Sequence, residues 1–317
     1  MFATLKKWAE FVKISHTVFA LPFALSAMMV AARDNRGWPG WRLFGLIVLA
    51  MFFARTCAMA FNRIMDREFD AENPRTANRH LPTGQITLRS AWTLCISAGI
   101  GLIGSAYFIN SICFYLSPVA LFFVCFYSVT KRWTDYTHIW LGIALALAPI
   151  GAWLAVKGGL GFEALPEPYG ASSIGRMVAR NGLTGLLPIL LAIAVVFWLI
   201  GFDIIYAMQD LEFDRQHGLH SLVVAWGPRN ALRAAFLAHL LMWGFLAFFG
   251  LLCGFKLAYY FGLVVTLACL IMEHWLARRR KGEWVQTAFF RLNALVSTVF
   301  VIVTAIEVIF PDFRLIE

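Results

Sequence analysis

Two acidic phrases of the same spacing, at residues 65–70 and 209–214, are the parts of this sequence best suited to chemistry. The first reads MDREFD and the second QDLEFD, and each carries two aspartates four residues apart at the end of a long apolar stretch. Carboxylates that face one another repel unless a cation lies between them, and all-oxygen ligands of this kind suit Mg²⁺. The repeated phrase therefore predicts a divalent cation held between two separate segments of the chain.

Helical spacing places further polar residues beside these aspartates. One stripe combines an amide with two carboxylates at positions i, i+4 and i+8: Asn62, Asp66 and Asp70. The other combines three carboxylates with a phenol at positions i, i+3, i+7 and i+11: Asp203, Tyr206, Asp210 and Asp214. Residues at these intervals share one face of a continuous helix. The alternative is that the acids are solvated helix ends beside arginines, and the two matching copies argue against it.

Basic residues that could bind phosphate accompany the acidic phrases. AENPRTANRHLPTG, at 71–84, carries Arg75 and Arg79 four residues apart. YSVTKR, at 127–132, carries a phenol and two cations: Tyr127, Lys131 and Arg132. Guanidinium groups bind phosphate oxygens bidentately, whereas lysine offers a point charge. These residues predict a Mg²⁺–diphosphate site. The alternative, charge bias at a membrane surface alone, explains less well why arginines directly follow an acidic stripe.

Arg55 lies inside an apolar stretch, seven residues before Asn62. Seven residues are close to two helical turns, which places Arg55 on the face of Asn62 and about 10 Å deeper. A charge at that depth costs roughly 2.5–3.5 kcal/mol on the insertion scale. We therefore expect Arg55 to face a polar cavity and to bind a small anion there. The competing interpretation is a structural ion pair with Asp66 or Asp203.

The composition predicts an integral membrane protein. Of 317 residues, 60% are hydrophobic and 14% are charged, and the mean hydropathy is +0.71. Runs of about 20 apolar residues are long enough to cross a bilayer as helices. Nine such runs predict an all-α bundle of nine membrane-spanning helices: 14–32, 43–62, 88–108, 111–130, 138–157, 184–207, 230–252, 257–276 and 288–310. They occupy most of the chain, so we expect residues 1–317 to form one membrane domain.

The distribution of basic residues predicts the orientation of the bundle. With the N-terminus inside, most of the 27 lysines and arginines fall on the inner side, as the positive-inside rule requires. The N-terminus and both acidic phrases are then cytoplasmic, and residues 158–183 lie outside. The net charge of +9 reflects this topology and contact with anionic lipid, so we expect no nucleic-acid partner. The chain contains no GxGxxG fingerprint, P-loop or serine-nucleophile motif.

With these motifs in place, the sequence resembles the UbiA-type membrane-embedded aromatic prenyltransferases. The resemblance spans nearly the whole chain and rests on NRIMDREFD, PRTANRHLPTG, YSVTKR and DIIYAMQDLEFD, in that order. It implies a polyprenyl diphosphate donor, Mg²⁺ and a small aromatic acid as acceptor. The acceptor would be of the 4-hydroxybenzoate type or a dihydroxynaphthoate, in ubiquinone or menaquinone biosynthesis. It also implies a location in the bacterial inner membrane; the sequence does not specify an oligomeric state.

The resemblance also implies roles for individual residues. The Mg²⁺–diphosphate ligands would be Asn62, Asp66, Asp70, Asp210 and Asp214. The phosphate clamp would comprise Arg75, Arg79, Lys131 and Arg132, with Tyr127 as a further substrate-binding residue. Arg55 would bind the carboxylate of the aromatic acid, and Asp203 and Tyr206 would lie nearer the reacting centre. Asp203 is our candidate for the group that takes the ring proton.

Position 63 departs from the family pattern. The common first motif reads Asn-Asp-x-x-Asp, and this chain has Arg63 at the second position. One residue is a 100° step around a helix, so an acid there would lie off the Asn62 stripe and its loss need not remove a metal ligand. The change favours a side branch of the family, which includes enzymes that prenylate a dihydroxynaphthoate.

Two interpretations from other functional classes use the same charged residues. A membrane transporter for a cation or a phosphate ester would carry repeats and broken helices near the midplane, whereas the acidic stripes here lie at one face. A non-catalytic prenyl-lipid-binding protein would bind the diphosphate without Mg²⁺-dependent release of pyrophosphate. The clustering of acids and arginines at one end of the spans favours the enzyme.

Overall fold

The computed structural model describes residues 2–13, 17–162, 177–178, 181–279 and 283–311, and this part of the chain contains no β-strand. Its α-helices run as follows: α1 (Phe2–Phe11), α2 (Thr17–Ala31), α3 (Trp41–Met65), α4 (Arg67–Glu72), α5 (Leu88–Ile109), α6 (Ser111–Phe126), α7 (Thr137–Lys157), α8 (Leu186–Ala207), α9 (Leu211–Gln216), α10 (Leu222–Cys253), α11 (Leu257–Arg279) and α12 (Glu283–Ile309). A 3₁₀ turn, Tyr127–Arg132, extends α6.

Every predicted span corresponds to a helix in the structure. Within the described ranges, eight helices are long and apolar enough to cross a bilayer: α3, α5, α6 with its 3₁₀ extension, α7, α8, α10, α11 and α12. The first predicted span is the shorter apolar helix α2, of 15 residues. The prediction of an all-α multi-pass membrane protein is therefore confirmed, and the count of nine spans is approximate.

Two sequence predictions extend beyond the described part of the chain. Residues 14–16 of the first predicted span lie outside it, so α2 is described from Thr17. Of the segment 158–183, which the charge distribution puts on the outer side, residues 163–176 and 179–180 lie outside it as well.

Helix α1 is an element that the sequence analysis did not predict. Phe11 at its end is buried at 2% exposure, and its ring meets the His80 ring edge-on at a centroid distance of 6.2 Å. Lys7 Nζ donates a hydrogen bond to the Gln85 carbonyl oxygen at 3.2 Å. These contacts hold α1 against the connection between α4 and α5. Its ten residues are too few to show the long apolar run by which the spans were found.

The acidic phrases do not lie on continuous helices, and the two predicted stripes are wrong in that respect. Asp66 has φ −89° and ψ 3° and separates α3 from α4. Residues 208–210 likewise separate α8 from α9. Each break falls where the apolar sequence ends, because the chain there leaves the bundle and passes over its end. We call this end, where α3 and α8 finish and α5, α7 and α10 begin, the motif end.

Helices α7 and α8 pack closely against one another. Helix α8 packs against α7 and α10, while α3 packs against α5. A Cβ atom added at Gly142 of α7 would lie 2.9 Å from the backbone oxygen of Val196 in α8. Only glycine permits this approach, which is the usual role of small residues between membrane helices. The Gly142 contact therefore holds α7 and α8 together near the motif end.

We expect Gly142→Ala to destabilise the protein, because the added methyl group meets backbone that cannot rotate away. Overpacking of this kind costs about 1–3 kcal/mol, which should lower the midpoint of thermal unfolding in detergent. Gly104→Ala is the matched control, since a Cβ there meets nothing within 4 Å. If both variants unfold at the same temperature, the close approach at Gly142 contributes nothing to stability.

Candidate active site

A single cavity of about 1080 Å³ brings the predicted site residues together. It lies among α3, α5, α6, α7 and α8 and reaches the motif end. We call its charged part at the motif end the mouth. Its lining includes every residue singled out from the sequence: Arg55, Asn62, Asp66, Asp70, Arg75, Arg79, Tyr127, Lys131, Arg132, Asp203, Tyr206, Asp210 and Asp214. Segments more than 120 positions apart in the chain, such as 66–79 and 203–214, thus contribute to one site.

The cavity changes from polar to apolar along its length. Charged side chains line the motif end, and beyond them the lining is mostly apolar, from α2, α3, α5, α6, α7 and α8. Along α7 alone the apolar lining runs from Leu141 to Ala155, which corresponds to about 20 Å of helix. A ligand with a charged head and a long hydrocarbon tail fits this division.

Arg75 and Asp210 form a bidentate ion pair at the site. Arg75 donates from Nε to Asp210 Oδ1 at 2.8 Å and from Nη2 to Oδ2 at 2.6 Å. Its Nη1 donates to the Tyr206 hydroxyl at 3.0 Å, and Asn73 Nδ2 donates to Asp210 Oδ1 at 3.2 Å. Burial acts to raise the pKa of Asp210, but the hydrogen bonds from Arg75 outweigh it and leave this pKa below its usual value. The network ties the loop after α4 to the end of α8.

Asp70 is held by two arginines. Arg79 Nη1 donates to Asp70 Oδ1 at 2.6 Å, and Arg63 Nη1 lies 4.0 Å from Oδ2. Arg63 is buried at 7% exposure and lines the cavity. The residue that departs from the family pattern is therefore part of the site, as a cation beside Asp70. Asp70 Oδ2 is buried without a hydrogen-bond partner.

The cations of the 127–132 turn face different partners. Lys131 Nζ lies 3.7 Å from Asp214 Oδ2, an oxygen that is buried without a hydrogen bond. Burial is the main cause that raises the pKa of Asp214. Arg132 instead donates to the carbonyl oxygen of Met65 at 2.7 Å, and its guanidinium lies 5.7 Å from the centroid of the Phe69 ring. Lys131 therefore points to the second acidic phrase, and Arg132 binds the backbone at the end of α3.

Asp66 has an amide rather than a cation as its hydrogen-bond donor. Asn62 Nδ2 donates to Asp66 Oδ2 at 2.9 Å. Burial raises the pKa of Asp66 to about 6. Its carboxylate is thus the acid of the first phrase that is least compensated by the protein itself.

Arg55 and Asp203 lie deeper than the ion pairs. In the part of the chain that is described, Arg55 forms no salt bridge, and its Nε is buried without a hydrogen-bond partner. The competing interpretation of an ion pair with Asp66 or Asp203 is not what the structure contains. Asp203 Oδ2 lies 2.7 Å from His138 Nδ1. Arg55 is therefore a cation in the cavity wall whose charge is not matched by a neighbouring carboxylate.

Sequence reasoning missed three residues of the site in addition to finding the others. The sequence analysis singles out neither Asn73 nor His138, and it treats Arg63 only as a departure from the family pattern. Each acquires its role from a partner elsewhere in the chain: Asp210, Asp70 and Asp203. His138 could have been noticed because it is an ionisable residue at the start of a predicted span, on the same side of the membrane as the end of α8.

The donor set suits Mg²⁺ if the ion also binds a phosphate. Among the described residues, no three His, Cys, Asp or Glu side chains are grouped around one point that could hold a metal ion. The two acidic phrases nevertheless offer only oxygen ligands, and Asp70 Oδ2 and Asp214 Oδ2 are buried and without hydrogen bonds. Mg²⁺ is usually bound by one or two carboxylates together with water and substrate phosphates. The residues present fit that mode of binding.

The chain is similar to known proteins over most of its length. The model of the UbiA prenyltransferase family matches residues 20–295. The 4-hydroxybenzoate octaprenyltransferase of Tolumonas auensis is 28% identical over 82% of each chain. The enzyme of the same name from Paraburkholderia phytofirmans is 26% identical over 96% of this chain and 98% of its own.

Solved structures show the same architecture. The apo structure of a UbiA homolog from Aeropyrum pernix K1 has a TM-score of 0.77 at 29% identity, covering 93% of this chain and 98% of that one. A UbiA homolog from Archaeoglobus fulgidus bound to GPP and Mg²⁺ has a TM-score of 0.69 at 21% identity, covering 96% and 99%. At that identity the second likeness shows the fold alone.

We expect Arg75→Ala to destabilise the protein, because it leaves Asp210, with a side chain only 8% exposed, without its cation. Loss of a charged hydrogen-bonding partner should lower the free energy of unfolding by about 2 kcal/mol. The double variant Arg75→Ala/Asp210→Asn should recover part of this loss. Arg67→Ala breaks an exposed pair with Glu68 and should change little. Equal unfolding midpoints for Arg75→Ala and Arg67→Ala would show that the buried pair adds no stability.

Proposed function

Because this chain belongs to the UbiA prenyltransferase family, we propose that it transfers a polyprenyl group from a polyprenyl diphosphate to an aromatic acid. The acceptor is of the 4-hydroxybenzoate type or a dihydroxynaphthoate, and its prenylated product enters ubiquinone or menaquinone biosynthesis. The observation that carries this proposal is the cavity itself, with paired charges at its mouth, an apolar channel beyond them and Arg55 between the two.

The charged mouth suits a diphosphate that arrives with a divalent cation. Three cations of the protein are each paired with a carboxylate there, as Arg75–Asp210, Arg79–Asp70 and Lys131–Asp214. A ligand with charges of both signs can exchange with such pairs, since the arginines and the lysine then bind phosphate oxygens while the carboxylates bind metal. The exchange leaves no charge buried and unpaired. A buried charge without a partner would be costly.

The acidic phrases supply the ligands for Mg²⁺ in this proposal: Asn62, Asp66, Asp70, Asp210 and Asp214. When bound, the ion supplies positive charge that stabilises the diphosphate as it leaves. Arg75, Arg79 and Lys131 donate hydrogen bonds to the same developing charge, with Arg132 and Tyr127 beside them in the wall. Fixed donors around a leaving group lower the barrier because they need no reorganisation during the reaction.

Arg55 binds the carboxylate of the acceptor. It lies about two helical turns deeper than Asn62 on the same helix, and it lines the cavity without an acidic partner among the described residues. A charge-assisted hydrogen bond from Arg55 orients the aromatic ring against the end of the prenyl chain. The hydroxyl of Tyr206 and the carboxylate of Asp203 then lie where the allylic cation forms, and Asp203 takes the ring proton.

Exclusion of water protects the cation, because water would capture it before the ring does. The segment after α4 covers part of the mouth, where Lys7 and Phe11 of α1 hold it through Gln85 and His80. The apolar channel beyond the site holds the prenyl tail away from water.

We further propose that residues 1–317 act as one membrane domain in a bacterial inner membrane. The excess of lysine and arginine at the motif end supports a cytoplasmic site, since basic residues are retained on that side. Both substrates then reach the cavity from the cytoplasm or from the bilayer.

The proposed reaction is tested by product identification. Membranes that contain the protein are incubated with labelled polyprenyl diphosphate and, separately, with 4-hydroxybenzoate, dihydroxynaphthoates and homogentisate. Release of pyrophosphate together with a prenylated aromatic acid supports the proposal and identifies the acceptor. Pyrophosphate release or diphosphate binding without a prenylated product from any of these acceptors would contradict it.

Removal of the metal or of its ligands should abolish turnover. We expect Asp66→Ala and Asp210→Ala to be nearly inactive while remaining folded in the membrane, because each loses a ligand of the charge-stabilising ion. EDTA should inactivate the enzyme, and added Mg²⁺ should restore it.

The matched controls are Glu68→Ala and Glu212→Ala, which remove the exposed acids of the same two phrases and should keep activity. Full turnover in excess chelator would overturn the assignment of a metal.

Arg55 and Arg75 should affect different substrates. We expect Arg55→Ala to lower kcat/KM for the acceptor by about tenfold to a hundredfold, the equivalent of one lost charged hydrogen bond. The KM of the donor should change little. Arg75→Ala should weaken the donor instead, because it is placed at the mouth beside the acidic phrases.

The kcat/KM for the acceptor and the KM of the donor are measured for Arg55→Ala and for Arg75→Ala. A loss of donor affinity in Arg55→Ala with acceptor kinetics unchanged would assign Arg55 to the diphosphate and remove the carboxylate role.

A further inference from the structure

His138 is a buried histidine whose hydrogen-bond partner among the described residues is an acid of the cavity wall. Its Nδ1 lies 2.7 Å from Asp203 Oδ2, and its side chain is fully enclosed, at 0% exposure. An ionised carboxylate can only accept hydrogen bonds. Nδ1 is therefore the donor of a hydrogen bond to Oδ2, while the other ring nitrogen, Nε2, is buried without a hydrogen-bond partner among the described residues. His138 thus donates to a carboxylate of the cavity wall.

Asp203 differs from the acids at the mouth in the charge of its partner. Asp70, Asp210 and Asp214 each lie within ion-pair distance of an arginine or a lysine. In the described part of the chain, Asp203 has His138 as its hydrogen-bond partner and no arginine or lysine within ion-pair distance. A fixed cation at that distance opposes protonation of a carboxylate. Asp66 also lacks such a cation, but it lies at the mouth among the proposed metal ligands, so Asp203 is the acid best placed to accept a proton deeper in the cavity.

The backbone holds the two side chains in place. His138 lies one turn before Gly142 in α7, and Asp203 lies two turns after Val196 in α8. Gly142 brings the two helices into contact at Val196. Because the pair sits on rigid helices next to this contact, the carboxylate cannot turn away from the cavity without losing its hydrogen bond.

We propose that His138 is a positioning residue that holds Asp203 as the base for the ring proton; this inference rests on the proposed aromatic prenyl transfer. The bond between C1 of the prenyl group and the diphosphate oxygen breaks, and its electron pair leaves on the diphosphate. The ring carbon forms the new bond to C1. The C–H bond at that carbon then breaks, its electron pair restores aromaticity, and the proton passes to Asp203 Oδ1 while Oδ2 stays on His138. Asp203 releases the proton to water as the products leave.

The test compares two substitutions at one position. His138→Leu removes the donor, and His138→Asn keeps an N–H donor near the position of Nδ1. We measure kcat, the KM of both substrates and the deuterium isotope effect on kcat with an acceptor labelled at the reacting ring carbon.

We expect His138→Leu to lower kcat by about tenfold to a hundredfold, as the loss of one hydrogen bond to a charged group predicts. The KM of both substrates should change little. A primary isotope effect should appear, because removal of the ring proton becomes slow enough to limit turnover. His138→Asn should restore most of kcat and remove the isotope effect. His220→Asn is the control, because it removes a partly exposed imidazole at the motif end. This variant should have the same kcat and the same isotope effect as the unmodified enzyme.

If His138 had a purely structural role, its substitution would not change the deuterium isotope effect on kcat. If His138→Leu keeps the unmodified kcat, or loses kcat without an isotope effect, the inference is overturned while the proposed function stands. If the unmodified enzyme forms no prenylated aromatic acid, the proposed function and the inference both fail, so the two failures are distinguishable.

Discussion

Compensation of buried charge at one end of an apolar bundle is the constraint on which the rest of this structure depends. A carboxylate or guanidinium removed from water without a partner costs several kcal/mol, and the motif end gathers several of each. The compensating pairs join separate elements: Arg75 after α4 binds Asp210 after α8, and Lys131 after α6 approaches Asp214 of α9. The interactions that make the candidate site chemically useful are therefore the same ones that close this end of the fold.

Depth divides the charged residues of the cavity into two groups. The pairs at the mouth can be opened by a ligand that brings charges of both signs. Deeper in, Arg55 has no acidic partner among the described residues, and Asp203 has a histidine, His138, as its hydrogen-bond partner. A cation without an internal partner is suited to an anionic substrate, and a carboxylate without an arginine or lysine beside it is suited to a proton. The two deep residues thus have the charges that the proposed aromatic substitution requires.

Local patterns in the sequence were enough to predict the spans and most of the site. Long apolar runs identify membrane helices because the bilayer requires them. The repeated acidic phrase predicts the candidate cation ligands, and both copies line the cavity despite the breaks at Asp66 and at 208–210. The breaks themselves, the helix α1 and the contacts of Arg63, Asn73 and His138 could not be found in this way. Each depends on a partner that lies outside the pattern, such as Asp203, 65 positions from His138, and packing decides which partners meet.

Arg63 completes the balance of charge rather than disturbing it. The first acidic phrase contributes Asp66 and Asp70, and the cations around it are Arg63 and Arg79. The second contributes Asp210 and Asp214, which face Arg75 and Lys131. An acid at position 63 would leave the first phrase with more carboxylates than cations and would make it depend on a bound metal for neutrality. With an arginine there, ion pairs within the protein offset the charges of Asp70, Asp210 and Asp214. A diphosphate accompanied by its metal, whose charges largely cancel, can then enter without leaving either half with an excess of charge.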